Sequence, residues 1–94
     1  MWLGCNVENA SYGLTICAER TAVVTAVAAG AVPGSFEAIA IYADTDKPCP
    51  PCGMCLGTLA EFCEELEVHL YNGALLETFL LSEVLPRRFD KRWL

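Results

Sequence analysis

Six cysteines stand in 94 residues, and their spacing limits this chain more than any other feature. A short chain buries a small share of its surface and commonly relies on a metal, disulfides or partner subunits to stay folded. Cys17 is followed by Ala18, Glu19 and Arg20, and Pro51-Cys52-Gly53-Met54-Cys55 comes later. Residues three apart in the first turn of a helix project to one side, so Cys52 and Cys55 can share an ion. The first-turn N–H groups lack partners, and the positive end of the helix dipole lies there. Both favour thiolate over thiol, the form a metal requires. Cys17 and Glu19, two residues apart, diverge on a regular helix. They serve one centre only if it lies off the helix tip, as it does when two helix tips face each other. Cys17, Cys52 and Cys55 around one Zn²⁺ per chain leave a fourth tetrahedral position open for water, the arrangement of a catalytic site.

A second C-x-x-C overlaps the first, because Cys49-Pro50-Pro51-Cys52 has the same spacing. Cys17, Cys49, Cys52 and Cys55 could close a structural four-sulfur zinc site with no open position, which would make the chain an interaction module. Against this, the two prolines stiffen Cys49 into an extended path leading away from the helix tip. Cys63 falls on the apolar face of the second helix and is expected in the core. Cys5 is assigned to packing as well. His69 alternates with Val68 and Leu70 and is expected to face away from the core.

Charge narrows the partners. The net charge is −6, the wrong sign for gripping a phosphate backbone, so polynucleotide binding is disfavoured. Arg87, Arg88, Lys91 and Arg92 form a local basic cluster, read as a solvated tail. Hydrophobic residues make up 54% of the chain, more than a short monomer easily hides, and this favours a homo-oligomer. No apolar run reaches membrane-spanning length, and Met1-Trp2-Leu3-Gly4 lacks the charged start of a secretory signal. A soluble, cytoplasmic protein with reduced thiols is expected, and close cysteine spacing in that setting points to metal or catalysis.

Along the chain, Trp2-Leu3 reads as a very short strand followed by a loop to Ile16. Cys17 to Ala29 reads as a helix stopped by Gly30. Ala38 to Tyr42 is an apolar, β-prone run expected to be a buried strand. Breakers fill residues 43–51, and a second helix is expected over Cys52 to Glu65. Glu67 to Tyr71 is a strand, Asn72-Gly73 a turn, and Leu75 to Leu80 another strand. Leu81 to Leu85 is a short helix stopped by Pro86. Residues 1–94 form one domain of the α/β class, with helices packed on a sheet.

Gly4-Cys5-Asn6-Val7-Glu8-Asn9-Ala10, Cys17-Ala18-Glu19-Arg20, Pro51-Cys52-Gly53-Met54-Cys55 and Leu85-Pro86-Arg87-Arg88-Phe89 together resemble the small homotetrameric cytidine deaminases in order and spacing. The resemblance covers nearly the whole chain. It implies an α/β/α sandwich with helices on a mixed sheet, and hydrolytic deamination of cytidine or deoxycytidine in pyrimidine salvage. It also implies zinc on Cys17, Cys52 and Cys55, with Glu19 as the catalytic proton carrier. By the same resemblance Asn6 and Glu8 bind a ribose hydroxyl, and Ala18 belongs to the substrate site. Ala10, Tyr12 and Phe89 line a neighbouring subunit's pocket, Phe89 stacking on the base. Arg20 offsets the negative charge of three thiolates. The chain departs from the family in two ways. Met1 falls just ahead of the Gly-Cys-Asn element, where the family has a preceding helix and hairpin, so an N-terminally truncated and catalytically impaired homologue is the alternative outcome. Leu56-Gly57 also stand where Arg-Gln is common, which alters local packing.

Overall fold

A computed structural model describes residues 1–89, the side chain of Tyr12 apart. A 3-10 turn (Tyr12–Leu14) precedes α1 (Ala18–Ala28), β1 (Ala38–Tyr42), α2 (Gly53–Phe62), β2 (Glu67–Tyr71), β3 (Leu76–Leu80) and the short α3 (Leu81–Val84). β1 and β2 run parallel, with Ala38 opposite Glu67 and Tyr42 opposite Tyr71. β2 and β3 run antiparallel, with Glu67 opposite Leu80 and Tyr71 opposite Leu76. The sheet is therefore mixed, in the order β1-β2-β3, and the expected α/β class is observed.

The C-terminal end of α1 is set by local chemistry and that of α2 by long-range contacts. α1 stops in a double hydrogen-bonded turn: the Ala31 N–H donates to Ala26 O at 2.9 Å, and the Gly30 N–H to Val27 O at 3.0 Å. That turn needs a residue in the left-handed region, and Gly30 supplies it at φ +97°. α2 is shorter than expected and ends at Phe62, with Cys63 already extended. Its closing carbonyls are taken by distant groups. The Gly34 N–H donates to Phe62 O at 2.7 Å. The Arg88 guanidinium donates to the carbonyls of Ala60 and Cys63, and to Glu64 O at 2.6 Å. Arg88 is thus folded onto the negative end of α2 and is no part of a solvated tail. Arg87 is exposed, and Lys91 and Arg92 lie outside the described residues.

Period-two alternation in β2 builds the core. Val68 and Leu70 point to one face with essentially no exposure, and the register places Ile39, Ile41 and Phe79 beside them. Val23 of α1, Leu59 of α2, Cys63, Leu66 and Leu81 cover that face. Full burial of a leucine-sized side chain contributes about 1.5–3 kcal/mol, so Leu59, Leu66, Leu70 and Leu81 together contribute about 6–12 kcal/mol. On the opposite face Ala38, Ala40, Tyr42, Tyr71, Leu76 and Leu80 are exposed. His69 points that way too, as expected, with Nδ1 3.0 Å from Thr78 Oγ1 and Nε2 3.4 Å from Glu67 Oε2.

Three local expectations are corrected. Trp2-Leu3 forms no strand; the N-terminal segment makes one bridge, Val7 with Ile16, closed at 2.8 and 2.9 Å. β1 is half-buried on one face only, because β2 is its single strand partner among the described residues. Cys5 is exposed and does not pack, whereas Cys63 is core as expected.

Candidate metal centre

α1 and α2 each begin at a cysteine in extended conformation: Cys17 at φ −73°, ψ 151° and Cys52 at φ −72°, ψ 170°. An extended N-cap residue turns its side chain off the helix barrel, which lets a residue just outside α1 and one inside it reach the same point. The Cys17 sulfur caps nothing; it lies 3.9 Å from the Cys52 sulfur, which is 3.5 Å from that of Cys55. All three sulfurs lie within 4.8 Å of one another. A tetrahedral zinc with Zn–S bonds of about 2.3 Å spaces its sulfurs about 3.8 Å apart. The three thiols therefore fit one ion with little movement. Exposure grades across the site, from buried Cys55 through half-buried Cys17 to exposed Cys52, so the cluster opens on the Cys52 side.

The sulfurs differ in their electrostatics. The Cys52 pKa is lowered, first by the Cys55 backbone N–H, which points toward its sulfur short of a full capping bond, with the Met54 N–H adding to it. Cys55 shows the reverse. Burial pushes its thiol strongly up, reinforced by hydrogen bonding with Cys52 and by the carboxylate of Glu19. The expectation that the helix tip favours thiolate at both positions thus holds for Cys52 alone. A bound cation overrides the burial, since a coordinated thiol is deprotonated outright.

Arg20 and Glu19 flank the cluster on opposite terms. The Arg20 Nη2 donates to the Cys17 sulfur at 3.7 Å and to Thr15 O at 3.3 Å. That bond to Cys17 is the chief reason the Arg20 pKa is raised. Its Nε is buried without a hydrogen-bond partner among the described residues. A buried cationic donor beside three thiols suits sulfurs that become anionic. Glu19 is half-buried in the first turn of α1, and its carboxylate helps to raise the Cys55 pKa. Carboxylate, guanidinium and three sulfurs thus meet at two facing helix tips. Cys49 is not in the cluster: its thiol donates to Pro50 O at 3.6 Å. The four-sulfur arrangement is not formed.

The remaining candidates lie on the N-terminal segment and beyond. Asn6 Nδ2 donates to Glu8 Oε1 at 3.1 Å, and both residues are exposed. The Val7–Ile16 bridge holds this pair against the residue that precedes Cys17. Gly4 packs directly on α1, where a Cβ would meet Ala18 O and Ala22 N at 2.5 Å. Ala18 is half-buried at the first position of α1. Ala10 and Phe89 are exposed, so neither is buried against the sulfurs within one chain. Tyr12 opens the 3-10 turn, and its side chain lies outside the described residues.

One positioning residue is legible in the sequence only as a turn former. Asn72 Oδ1 accepts from the Ala74 and Leu75 N–H groups at 3.0 and 2.7 Å. Its Nδ2 donates to Thr45 O at 2.9 Å and Asp46 O at 3.2 Å. The loop so anchored runs through Pro48, Pro50 and Pro51 to Cys52, and prolines make it stiff. Nothing in the local sequence marks this reach.

Residues 1–69 match the family model described as the cytidine and deoxycytidylate deaminase zinc-binding region. The chain is 46% identical over 91 residues to the cytidine deaminase of Sporosarcina psychrophila, covering 94% of this chain and 65% of that protein. It is 46% identical over 89 residues to the cytidine deaminase of Halalkalibacterium halodurans, covering 92% of this chain and 65% of the relative. The chain thus spans about two thirds of the length of these relatives. The crystal structure of cytidine deaminase from Burkholderia pseudomallei superposes with a TM-score of 0.89 at 47% identity, covering 94% of this chain and 71% of that one. A glutamate-to-glutamine variant of the Mycobacterium tuberculosis cytidine deaminase superposes with a TM-score of 0.73 at 33% identity, over 92% and 66% of the two chains.

Proposed function

Because the chain belongs to the cytidine and deoxycytidylate deaminase zinc-binding family, we propose that it hydrolyses the exocyclic amine of cytidine or deoxycytidine, giving the uracil nucleoside and ammonia. The observation that carries this reading is the meeting of three sulfurs, one carboxylate and one guanidinium at two helix tips. Cys17, Cys52 and Cys55 hold the ion, and zinc bound there supplies the Lewis acidity that makes water nucleophilic near neutral pH.

Glu19 moves the protons. Its carboxylate takes one from the attacking water and delivers it to ring N3 as the C4–O bond forms. It then carries the second proton of that water, now on the C4 oxygen, to the C4 amine, which leaves as ammonia when the C4–N bond breaks. Arg20 neutralises part of the thiolate charge through its bond to Cys17 and so limits the loss of Lewis acidity. Asn6 and Glu8, already hydrogen-bonded to each other, offer a donor and an acceptor to one ribose hydroxyl. Ala18 contributes backbone and methyl surface beside Glu19. Ala10 and Phe89, both exposed, complete a neighbouring copy's pocket together with Tyr12, in a homotetramer. The substrate class is a free nucleoside, with a place in pyrimidine salvage in the cytoplasm, and residues 1–94 act as one domain. Among the described residues no helix is long and apolar enough to cross a membrane.

The test is ultraviolet absorbance loss on incubation with cytidine, beside zinc content. Glu19→Gln should cut turnover on the order of 10²–10⁴-fold, the usual range for a lost acid–base group. Zinc per chain should be unchanged. Normal deamination by that variant would end the assignment.

A further inference from the structure

We propose that Cys52 and Cys55 are also a redox-active dithiol, which a hydroperoxide closes into a disulfide when no ion holds the sulfurs apart. The two sulfurs lie 3.5 Å apart on one helical turn. Gly53 and Met54 between them are helical, which sets the two Cα atoms about 5 Å apart. That falls inside the range a disulfide bridges without backbone movement. Rotation of the two side chains therefore suffices to bring the sulfurs to bonding distance.

The competing pairs are less favourable. Cys17 and Cys52 have sulfurs 3.9 Å apart, yet they sit on different helices that would have to close on each other. Cys49 shares the C-x-x-C spacing with Cys52, but its thiol is bound to Pro50 O and two prolines hold the intervening backbone. Cys63 is buried in the core, and Cys5 lies on the N-terminal segment.

Exposure divides the roles. Cys52 is exposed and Cys55 buried, and a Cβ at Gly53 would meet nothing within 4 Å, so an oxidant reaches Cys52 first. The Cys52 sulfur attacks one peroxide oxygen, the O–O bond breaks, and a sulfenic acid and one water (or alcohol) result. The Cys55 sulfur then attacks the Cys52 sulfur; the S–S bond forms, the S–O bond breaks, and hydroxide leaves with the Cys55 proton as water. Two thiols are oxidised and one peroxide is reduced. The disulfide removes two of three sulfur ligands, so metal and disulfide exclude each other. That exclusion, unlike the pair itself, rests on the metal reading given above.

The experiment uses the whole chain, stripped of metal by a chelator and freed of reductant, then treated with hydrogen peroxide. Two of its six thiols should disappear, and peptide mass mapping should place the bond between Cys52 and Cys55. Zinc uptake, read with a chromophoric indicator, should fall away and return with dithiothreitol. Zinc-loaded protein should oxidise more slowly. Cys17→Ser and Cys49→Ser should both still close the bond. Mapping to Cys17–Cys52 or Cys49–Cys52, or oxidation to sulfinic acid without a disulfide, overturns the proposal. Reduced protein that binds no zinc yet closes Cys52–Cys55 faults the metal reading and supports the dithiol.

Discussion

Arg88→Met tests how α2, whose N-cap Cys52 and first-turn Cys55 carry two of the three sulfurs, is secured at its other end. The substitution keeps an unbranched apolar stem and removes every N–H donor. In the native chain the guanidinium serves the carbonyls of Ala60, Cys63 and Glu64. Ala60 and Cys63 are only 4% exposed, so water cannot readily replace the lost donor at those two carbonyls. Glu64 is exposed and its carbonyl can rehydrate, so it adds little. A buried acceptor left without a partner costs about 1–3 kcal/mol, and relaxation around the shorter side chain lets one of the two recover in part. The expected loss is roughly 2–3 kcal/mol. For a domain of this length that lowers Tm on the order of 10 °C. Urea unfolding followed by circular dichroism should show a lower midpoint at unchanged slope. Arg88→Lys, with one compact donor group, should lie between native and Met. A change under about 0.5 kcal/mol in Arg88→Met, within the scatter of ordinary surface substitutions, would refute the cap.

Alkali should act on the metal-free protein through its buried thiols. Burial raises both Cys55 and Cys63 above the ordinary value of 9.0, so the stability they contribute is full below that value and lost above it, as the unfolded chain ionises first, while the lowered Cys52 adds stability only as pH climbs toward 9.0; a melting temperature that rises above 9.0 contradicts the burial. Asn72→Asp keeps the acceptor for the turn but puts a carboxylate against the carbonyls of Thr45 and Asp46, and should cost about 1–3 kcal/mol in chemical unfolding. An unchanged midpoint would show that the loop leading to Cys52 is not held there. Gly4→Ala places a methyl 2.5 Å from α1 backbone atoms and should cost about 1–3 kcal/mol, with faster amide exchange at Val7 and Ile16. Native exchange rates in that variant would mean the segment does not rest on α1.

Much of this protein is legible in its sequence, for reasons that differ by element. β1 and β2 match their expected bounds because five-residue apolar or alternating runs between breakers leave few other conformations. α1 is found within one residue because Gly30 alone accommodates the left-handed turn that ends it. The meeting of Cys17, Cys52 and Cys55 was legible as a requirement: one ion needs all three, and only helix tips allow it.

Other features follow from contacts between residues far apart in the chain. α2 ends three residues before its expected stop because Gly34 and Arg88 take its closing carbonyls, and no local propensity encodes either partner. The split between Cys52 and Cys55 is likewise tertiary, since both occupy the same favourable helix tip and burial alone separates them. Asn72 looks like any turn asparagine until the loop at Thr45 and Asp46 comes within reach of its amide. The residue types and spacings thus determined which groups could share one ion and where strands must run. Only the folded chain decided which sulfur is open to solvent and which carbonyls a distant cation secures, because burial and long-range hydrogen bonds exist only once separate segments pack together.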